Sequence, residues 1–330
     1  MLEYMESTQI TLSKKHVWIL ADADKVGSQN QCIGLVERLG YSYDLKKINL
    51  NFFYKVVAPF FYFGSRYFAG ADLCGPYPDF IVASGRQAAS VAASLRHKAK
   101  TIFLLDPYLP SSFFDVVIVP FHDMRWGRTR KSKNVIKILG SLHGLTGEKV
   151  KTAAKRAMTD TLKKSHVVVL LGGDSRHFKY SDIHIRLMIE KLKKLSAFMG
   201  GVRFLITPSR RTTPEVIHQC QHALQGTEFY MWDFEGENPY HSFLGQADVI
   251  VATSDSISMT SEACSVGVPV FIEDLKINNP KFKSYFKMLF EKRHAYKFSE
   301  NNFAKMHEKT RILDEFPKVE KFLKNKNIIG

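Results

Sequence analysis

The 330-residue chain is poor in cysteine: Cys32, Cys74, Cys220 and Cys264 lie far apart with no CxxC pair. That spacing supports neither a structural zinc site nor a disulfide framework, and it suits a reducing compartment. Long apolar runs are also missing. The most apolar stretch, VVAPFFYFG from Val56 to Gly64, is far below the roughly 20 residues a spanning helix needs. The amino terminus places Glu3 and Glu6 where a secretory leader would carry an apolar segment. A cytoplasmic protein without a transmembrane anchor is therefore expected. Acidic charge is scarce: 47 Lys+Arg against 32 Asp+Glu give a net charge of +15. The partners should be anionic, namely nucleotide phosphates, lipid headgroups or nucleic acid. No recognised DNA or RNA module is present, which ranks nucleic acid last. GxSxG, HExxH and the kinase motif set are absent too, so hydrolase and protease readings lose support.

With 45% hydrophobic and 24% charged residues, the chain can bury a core, and its length exceeds what one core usually organises. From His16 onward, short apolar runs end in Gly, Asp, Ser or Pro, and each is followed by helically spaced residues. That alternation marks parallel α/β units. In the first half the expected strands are 16–22, 42–48, 79–85, 101–106 and 114–120. In the second they are 167–173, 202–209, 228–233, 248–254 and 269–275. A basic stretch, roughly 125–164, separates the two runs. The predicted fold class is α/β, with two Rossmann-like domains facing across a cleft: 1–145 on the acceptor side, 146–300 for nucleotide binding, and a helical tail at 301–330 packing back on the first. From Lys276 on, the chain holds 14 Lys/Arg against 6 Asp/Glu.

Ligands of such sheets bind where strands end, so the strand-end loops carry the candidates. GGDSRHF supplies Gly172 and Gly173 for close backbone approach, with Ser175 and Arg176 as phosphate donors before a helix. TPSRRTTPE supplies Ser209 and Arg210, then Thr212 or Thr213 to cap a helix opened by Pro214. TSDSISMTSEACSVGVP offers Ser254, Asp255, Ser256, Ser258 and Met259 at a polar turn, and Glu262 to accept from vicinal hydroxyls. GSQNQ, in the first strand-to-helix loop, gives Gly27, Ser28, Asn30 and Gln31 for an acceptor or phosphate. His122 beside Asp123 forms a base with an orienting carboxylate. Asp22 and Asp24 make a DxD triplet, but three residues recur by chance and no metal is assigned.

In order along the chain, NQCIGLVERLG, PDFIVASGR, DPYLP with FDVVIVPFHD, LLGGDSRHF, TPSRRTTPE, GENPYHSFLGQAD and TSDSISMTSEACSVGVPVF resemble the mitochondrial fission ELM (elongated mitochondria) family. The resemblance implies a GT-B glycosyltransferase fold, with nucleotide-sugar binding mainly in the carboxyl-terminal half. SEACSVGVPVF is also similar to the donor-binding helix of MurG-type enzymes, which implies that Glu262 meets the nucleotide ribose. The family's first loop reads like GHENQ, whereas Ser28 and Gln29 stand here in place of its histidine and acid.

The expected activity is metal-independent transfer of a sugar from a nucleotide-sugar, the donor substrate, to an envelope-linked acceptor. No cofactor and no metal are assigned. His122 or Asp123 is the base, and Gly172, Gly173, Ser175, Arg176 and Arg210 hold the diphosphate. The alternative, which the altered GSQNQ loop favours, is a non-catalytic adaptor that recruits a partner at a membrane surface. The aromatic segment Leu50 to Phe68, with Lys55 and Arg66, suits an anionic membrane surface, or burial in the amino-terminal core or between subunits.

Overall fold

Aliphatic and β-branched residues concentrate in the strands, and six strands end at Asp22, Ser84, Pro120, Pro208, Thr253 and Glu273. In the computed structural model, which describes residues 15–123, 132–157, 164–174, 178–275, 277–308 and 310–330, these runs build two six-stranded sheets. The first contains β1 (His16–Asp22), β2 (Ser42–Ile48), β3 (Phe80–Ser84), β4 (Lys100–Leu104), β5 (Val116–Pro120) and β6 (Val135–Ile138). Its order is β2-β1-β3-β4-β5-β6, and β1 pairs in parallel with both β2 and β3. Helices α1 (Val26–Arg38), α2 (Phe52–Val57) and α3 (Arg86–Leu95) connect it.

The second sheet is built from β7 (Ser165–Leu171), β8 (Val202–Pro208), β9 (Glu228–Met231), β10 (Val249–Thr253), β11 (Val270–Glu273) and the two-residue β12 (Tyr296–Lys297). Its order, β12-β11-β10-β7-β8-β9, is parallel throughout. Its helices are α4 (Gly147–Ala157), α5 (Asp182–Phe198), α6 (Pro214–Ala223), α7 (Tyr240–Gln246), α8 (Ile257–Ser265) and α9 (Pro280–Glu291), and α10 (Phe316–Asn325) closes the chain. Alternate strand residues feed opposite faces of this sheet. Val167, Val169, Phe204 and Val251 pack with α5 and α6, whereas Val168, Leu170, Ile250 and Ile272 pack with α7, α8 and α9. Period-two burial on both faces of a parallel sheet produces this division.

The chain forms two compact units. One holds the described residues to Val117, residues 132–135 and Leu323–Gly330; the other holds 118–123 and the described residues from Ile136 to Phe322. His122 and Asp123 thus belong to the second unit.

Three expectations need correction. GSQNQ is not a loop, because α1 already begins at Val26 and carries Gly27 to Gln31 in its first turns. The basic stretch contains a strand, β6, whose four residues are too few for alternation to show. The tail at 301–330 is only partly α-helical: most of a 3-10 segment, Glu300–His307, precedes α10 there, and the basic run before it carries the short strand β12. Capping residues set the helix starts. Thr213 accepts from the Val216 amide, with Pro214 in the first turn of α6; Ser256 does the same for Met259 in α8.

Candidate functional site

In the second sheet the strand order reverses between β7 and β10, where crossovers leave to opposite sides and open a crevice at the carboxyl ends. Gly172 and Gly173 follow β7 there, and Ser254 and Asp255 follow β10. The Gly172 amide donates to Thr253 Oγ1 at 2.8 Å and the Gly173 amide to Asp255 Oδ2 at 3.1 Å. Thr253 Oγ1 donates to Asp255 Oδ1 at 2.7 Å, and Arg211 Nη2 to Asp255 Oδ2 at 2.8 Å. The Asp255 side chain has no exposed surface, whereas that of Arg211 is 42% exposed. Asp255 therefore holds three loops together, and part of the Arg211 side chain faces solvent.

The glycines are required here. A Cβ on Gly172 would lie 1.9 Å from Asp255 Oδ1, and one on Gly173 would lie 2.0 Å from the Arg211 carbonyl carbon. Thr212 completes the knot: its Oγ1 donates to the Gly172 carbonyl at 2.8 Å and accepts from the Ser209 amide at 2.9 Å. Ser254 also turns inward, since its Oγ accepts from the Leu275 amide at 2.9 Å. Of the polar residues at this turn, Ser256 and Ser258 remain partly exposed, with Met259 beside them. The first-turn amides of Ile257 and Ser258 have no partner within α8, and with the helix dipole they leave a partial positive charge at this end. Ser175 and Arg176 lie outside the described residues.

Glu262 sits on α8 and is half-buried. Burial raises its carboxyl above the ordinary range, and the Tyr240 hydroxyl beside it pulls the other way. Tyr240 is half-buried with its hydroxyl enclosed, and that hydroxyl makes no hydrogen bond of ordinary geometry; burial and then the Glu262 charge push the phenol well up. Sequence reasoning missed Tyr240, although GENPYHS carried it. Arg210 is exposed and lines an open groove of about 460 Å³ with Thr212, Ile217, His218 and Phe234. Trp232 packs against Phe234 at 4.9 Å between ring centroids, extending an aromatic wall after β9.

The other candidates lie apart from this knot. The His122 side chain is 7% exposed; its Nε2 is 3.8 Å from Asp123, and its buried Nδ1 has no hydrogen-bond partner. Burial lowers the imidazole pKa, Asp123 raises it and Lys281 lowers it, so the ring is held neutral. Asp123 is ion-paired to Lys281 at 2.5 Å. The ring also meets Tyr285 edge-on at 5.5 Å, and that phenol bonds Thr260 and Ser261 of α8 at 3.1 and 3.0 Å. A polar seam therefore links His122 to the helix that carries Glu262.

In the first unit, Gln29 of α1 is buried and donates to the Asp22 and Ala23 carbonyls at 2.9 and 3.1 Å. Ser28 bonds the Lys25 carbonyl, Asn30 is exposed, Gln31 is half-buried, and Gly27 has open space around it. Asp22 faces inward and accepts from the Gln87 and Ala88 amides at 3.1 and 2.9 Å, while Asp24 is exposed next to Lys25.

The family model for mitochondrial fission ELM1 matches residues 26–325, nearly the whole chain. The chain belongs to this family. An uncharacterized Rickettsia prowazekii protein is 26% identical over 87% of this chain and 91% of its own length. The Arabidopsis thaliana mitochondrial fission protein ELM1 is 30% identical over 59% of the chain. That match covers about half of the Arabidopsis protein, 51%. Among solved structures, UDP-GlcNAc 2-epimerase from Methanocaldococcus jannaschii superposes with a TM-score of 0.57 at 13% identity, covering 94% of this chain and 100% of that one. Acinetobacter baumannii MurG gives 0.50 at 13% identity, over 95% and 92%. This ELM1-family chain therefore has the GT-B fold.

Proposed function

We propose that the protein binds a nucleoside diphosphate sugar at the carboxyl edge of the second sheet and transfers the sugar without a metal ion. The observation that carries this reading is the pairing of the α8 amino terminus, whose first amides have no partner within the helix, with a half-buried carboxylate, Glu262, on the same helix. A diphosphate needs donors and positive charge; the α8 first turn, Arg210 and the exposed part of Arg211 supply both. A ribose offers two adjacent hydroxyls, and one carboxylate can accept from both. The fold neighbours include enzymes whose names carry UDP-GlcNAc, which favours this ligand class.

In transfer, the bond from the sugar to the diphosphate breaks, a bond to the acceptor oxygen forms, and the acceptor proton passes to a base. His122 is the proposed base, because an imidazole held neutral can accept that proton, and Asp123 orients it. The helix end and arginines take up the charge on the departing diphosphate, the work a metal would otherwise do. The same reading puts the protein in the cytoplasm, peripheral at the inner face of a membrane, with an envelope-linked acceptor.

Calorimetry with the best nucleotide from a thermal-shift panel tests the assignment. Glu262→Ala should weaken binding at least about tenfold, equivalent to about 1.4 kcal/mol, while the protein stays folded. Unchanged affinity in a folded variant would remove Glu262 from the site. Nucleotide binding with no turnover for any donor would favour the adaptor reading.

A further inference from the structure

The segment between β2 and β3 presents its aromatic residues outward. Among the described residues, 17 large hydrophobic side chains are exposed, and eight of them fall within residues 52–68. Exposure there runs from 43% at Phe61 to 85% at Phe52, and α2 has no buried residue. Single exposed hydrophobics are ordinary, but a contiguous cluster marks an interaction surface. The rings are mounted rather than loose. Tyr54 stacks on Phe68 at 5.0 Å and donates its hydroxyl to the Phe63 carbonyl at 3.0 Å, and Phe53 meets Phe61 edge-on at 6.4 Å. Arg86 Nη2 donates to the Lys55 carbonyl at 2.9 Å, tying α2 to the start of α3. A surface ordered in advance loses little freedom when it docks.

Charge identifies the occupant. Between Asp44 and Asp72 the chain has no acidic residue, while Lys46, Lys47, Lys55 and Arg66 are basic. Arg66 lies over the Tyr67 ring at 4.6 Å, and Lys55 is exposed at the end of α2. Rings that can sit at headgroup level, in a segment whose charged residues are all basic, match an anionic bilayer, with Asp24 of the preceding strand-end loop near Lys55. A protein partner would more often meet a pocketed surface with a polar rim of both signs. Lys55 also lines a pocket of about 290 Å³ with Ala23, Asp24, Asn49 and Gln87, beside the end of β1.

The structure assigns the Phe52–Phe68 surface to docking on an anionic lipid bilayer, with the aromatic rings at headgroup level and Lys55 and Arg66 against the lipid charge. The pocket next to Lys55 then opens beside the headgroups, where an acceptor carried on a lipid would arrive. This inference stands on the exposed surface alone and needs no nucleotide.

Sedimentation of the full chain with phosphatidylcholine vesicles, with and without 30 mol% phosphatidylglycerol, tests it in roughly 0.1 M salt, where surface charge is partly screened. The wild type should pellet with the anionic vesicles and bind neutral ones at least about tenfold less, in line with roughly 1 kcal/mol per basic residue near the surface. A Phe52→Ser, Phe53→Ser, Phe60→Ser, Phe63→Ser variant should lose most binding to anionic vesicles, with its circular dichroism unchanged. Lys55→Glu with Arg66→Glu should remove the preference for phosphatidylglycerol. A wild type that stays in the supernatant overturns the assignment, and so does a folded serine variant that pellets as before. Sedimentation equilibrium showing a stable dimer that the serine variant dissociates would give this surface to a second copy instead. A nucleotide thermal shift on the serine variant separates the two readings: its loss or retention bears on the second unit only.

Discussion

Each unit places a buried aspartate at the point where its strand order reverses, and the two sites are finished differently. In the first, Asp22 at the end of β1 fills the notch over Gly85, where a Cβ would lie 2.4 Å from the carboxylate carbon, and it accepts amides from the α3 amino terminus. Burial raises its carboxyl above the ordinary value against those hydrogen bonds. In the second, Asp255 fills the notch over Gly172 but is paired with Arg211, and its loop leaves the neighbouring α8 amino terminus open. On the proposed reading, the first reversal point spends its helix end on its own carboxylate, and the second keeps a helix end and positive charge for a ligand. The same architecture then yields an edge closed to nucleotide and a receptive one.

The largest effects should come from refilling the notches. Gly173→Ala forces a Cβ into the Arg211 backbone and Gly85→Ala one into Asp22. Each should cost about 3 kcal/mol or more, seen as loss of soluble protein or a steep fall in Tm. Arg211→Ala leaves Asp255 buried without its cation. The arginine is substantially exposed, so water recovers part of the loss, and about 2 kcal/mol is expected by denaturant unfolding. If that change were neutral, the ion pair would not organise the receptive edge.

Asp22→Asn should be milder, within about 1 kcal/mol at neutral pH, because no cation is stranded and the amide oxygen can still accept. Its pH dependence sharpens the contrast. Because the native pKa of Asp22 is raised, the folded state binds more protons than the unfolded chain between the two values. Wild-type stability relative to Asp22→Asn should therefore rise as pH falls through the raised pKa and decline as pH climbs through it. His122 gives the opposite trend: with its native pKa lowered, its contribution begins to fall at the unfolded value of about 6.5 and is lost as pH drops on through the lowered native value. His122→Phe should flatten that loss, by the smallest margin of the series.

Much of the fold was legible because parallel strands are aliphatic runs with small or polar ends. β1, β2, β7, β8 and β10 fall where VWILA, YDLKKI, VVVLL, RFLIT and VIVAT place them. β12 was not legible, since two residues carry no period and only pairing with β11 defines them. Polar candidates were harder. Arg210 and Arg211 are adjacent and chemically identical, and the path of the turn after β8 alone sends Arg211 to Asp255. In the same way, the helical start at Val26 points Gln29 inward and leaves Asn30 outside. Nothing local to GENPYHS indicates that Tyr240 meets Glu262, a contact made only when α7 and α8 pack on one face of the sheet.

The most direct test of a receptive second edge and a closed first one is amide hydrogen exchange with and without a saturating nucleoside diphosphate. Protection should rise at 172–174, 209–212 and 255–262, with residues 22–31 and 85–88 unchanged. Protection confined to the first set supports the account. Equal protection in both sets, or in 22–31 and 85–88 alone, would contradict it.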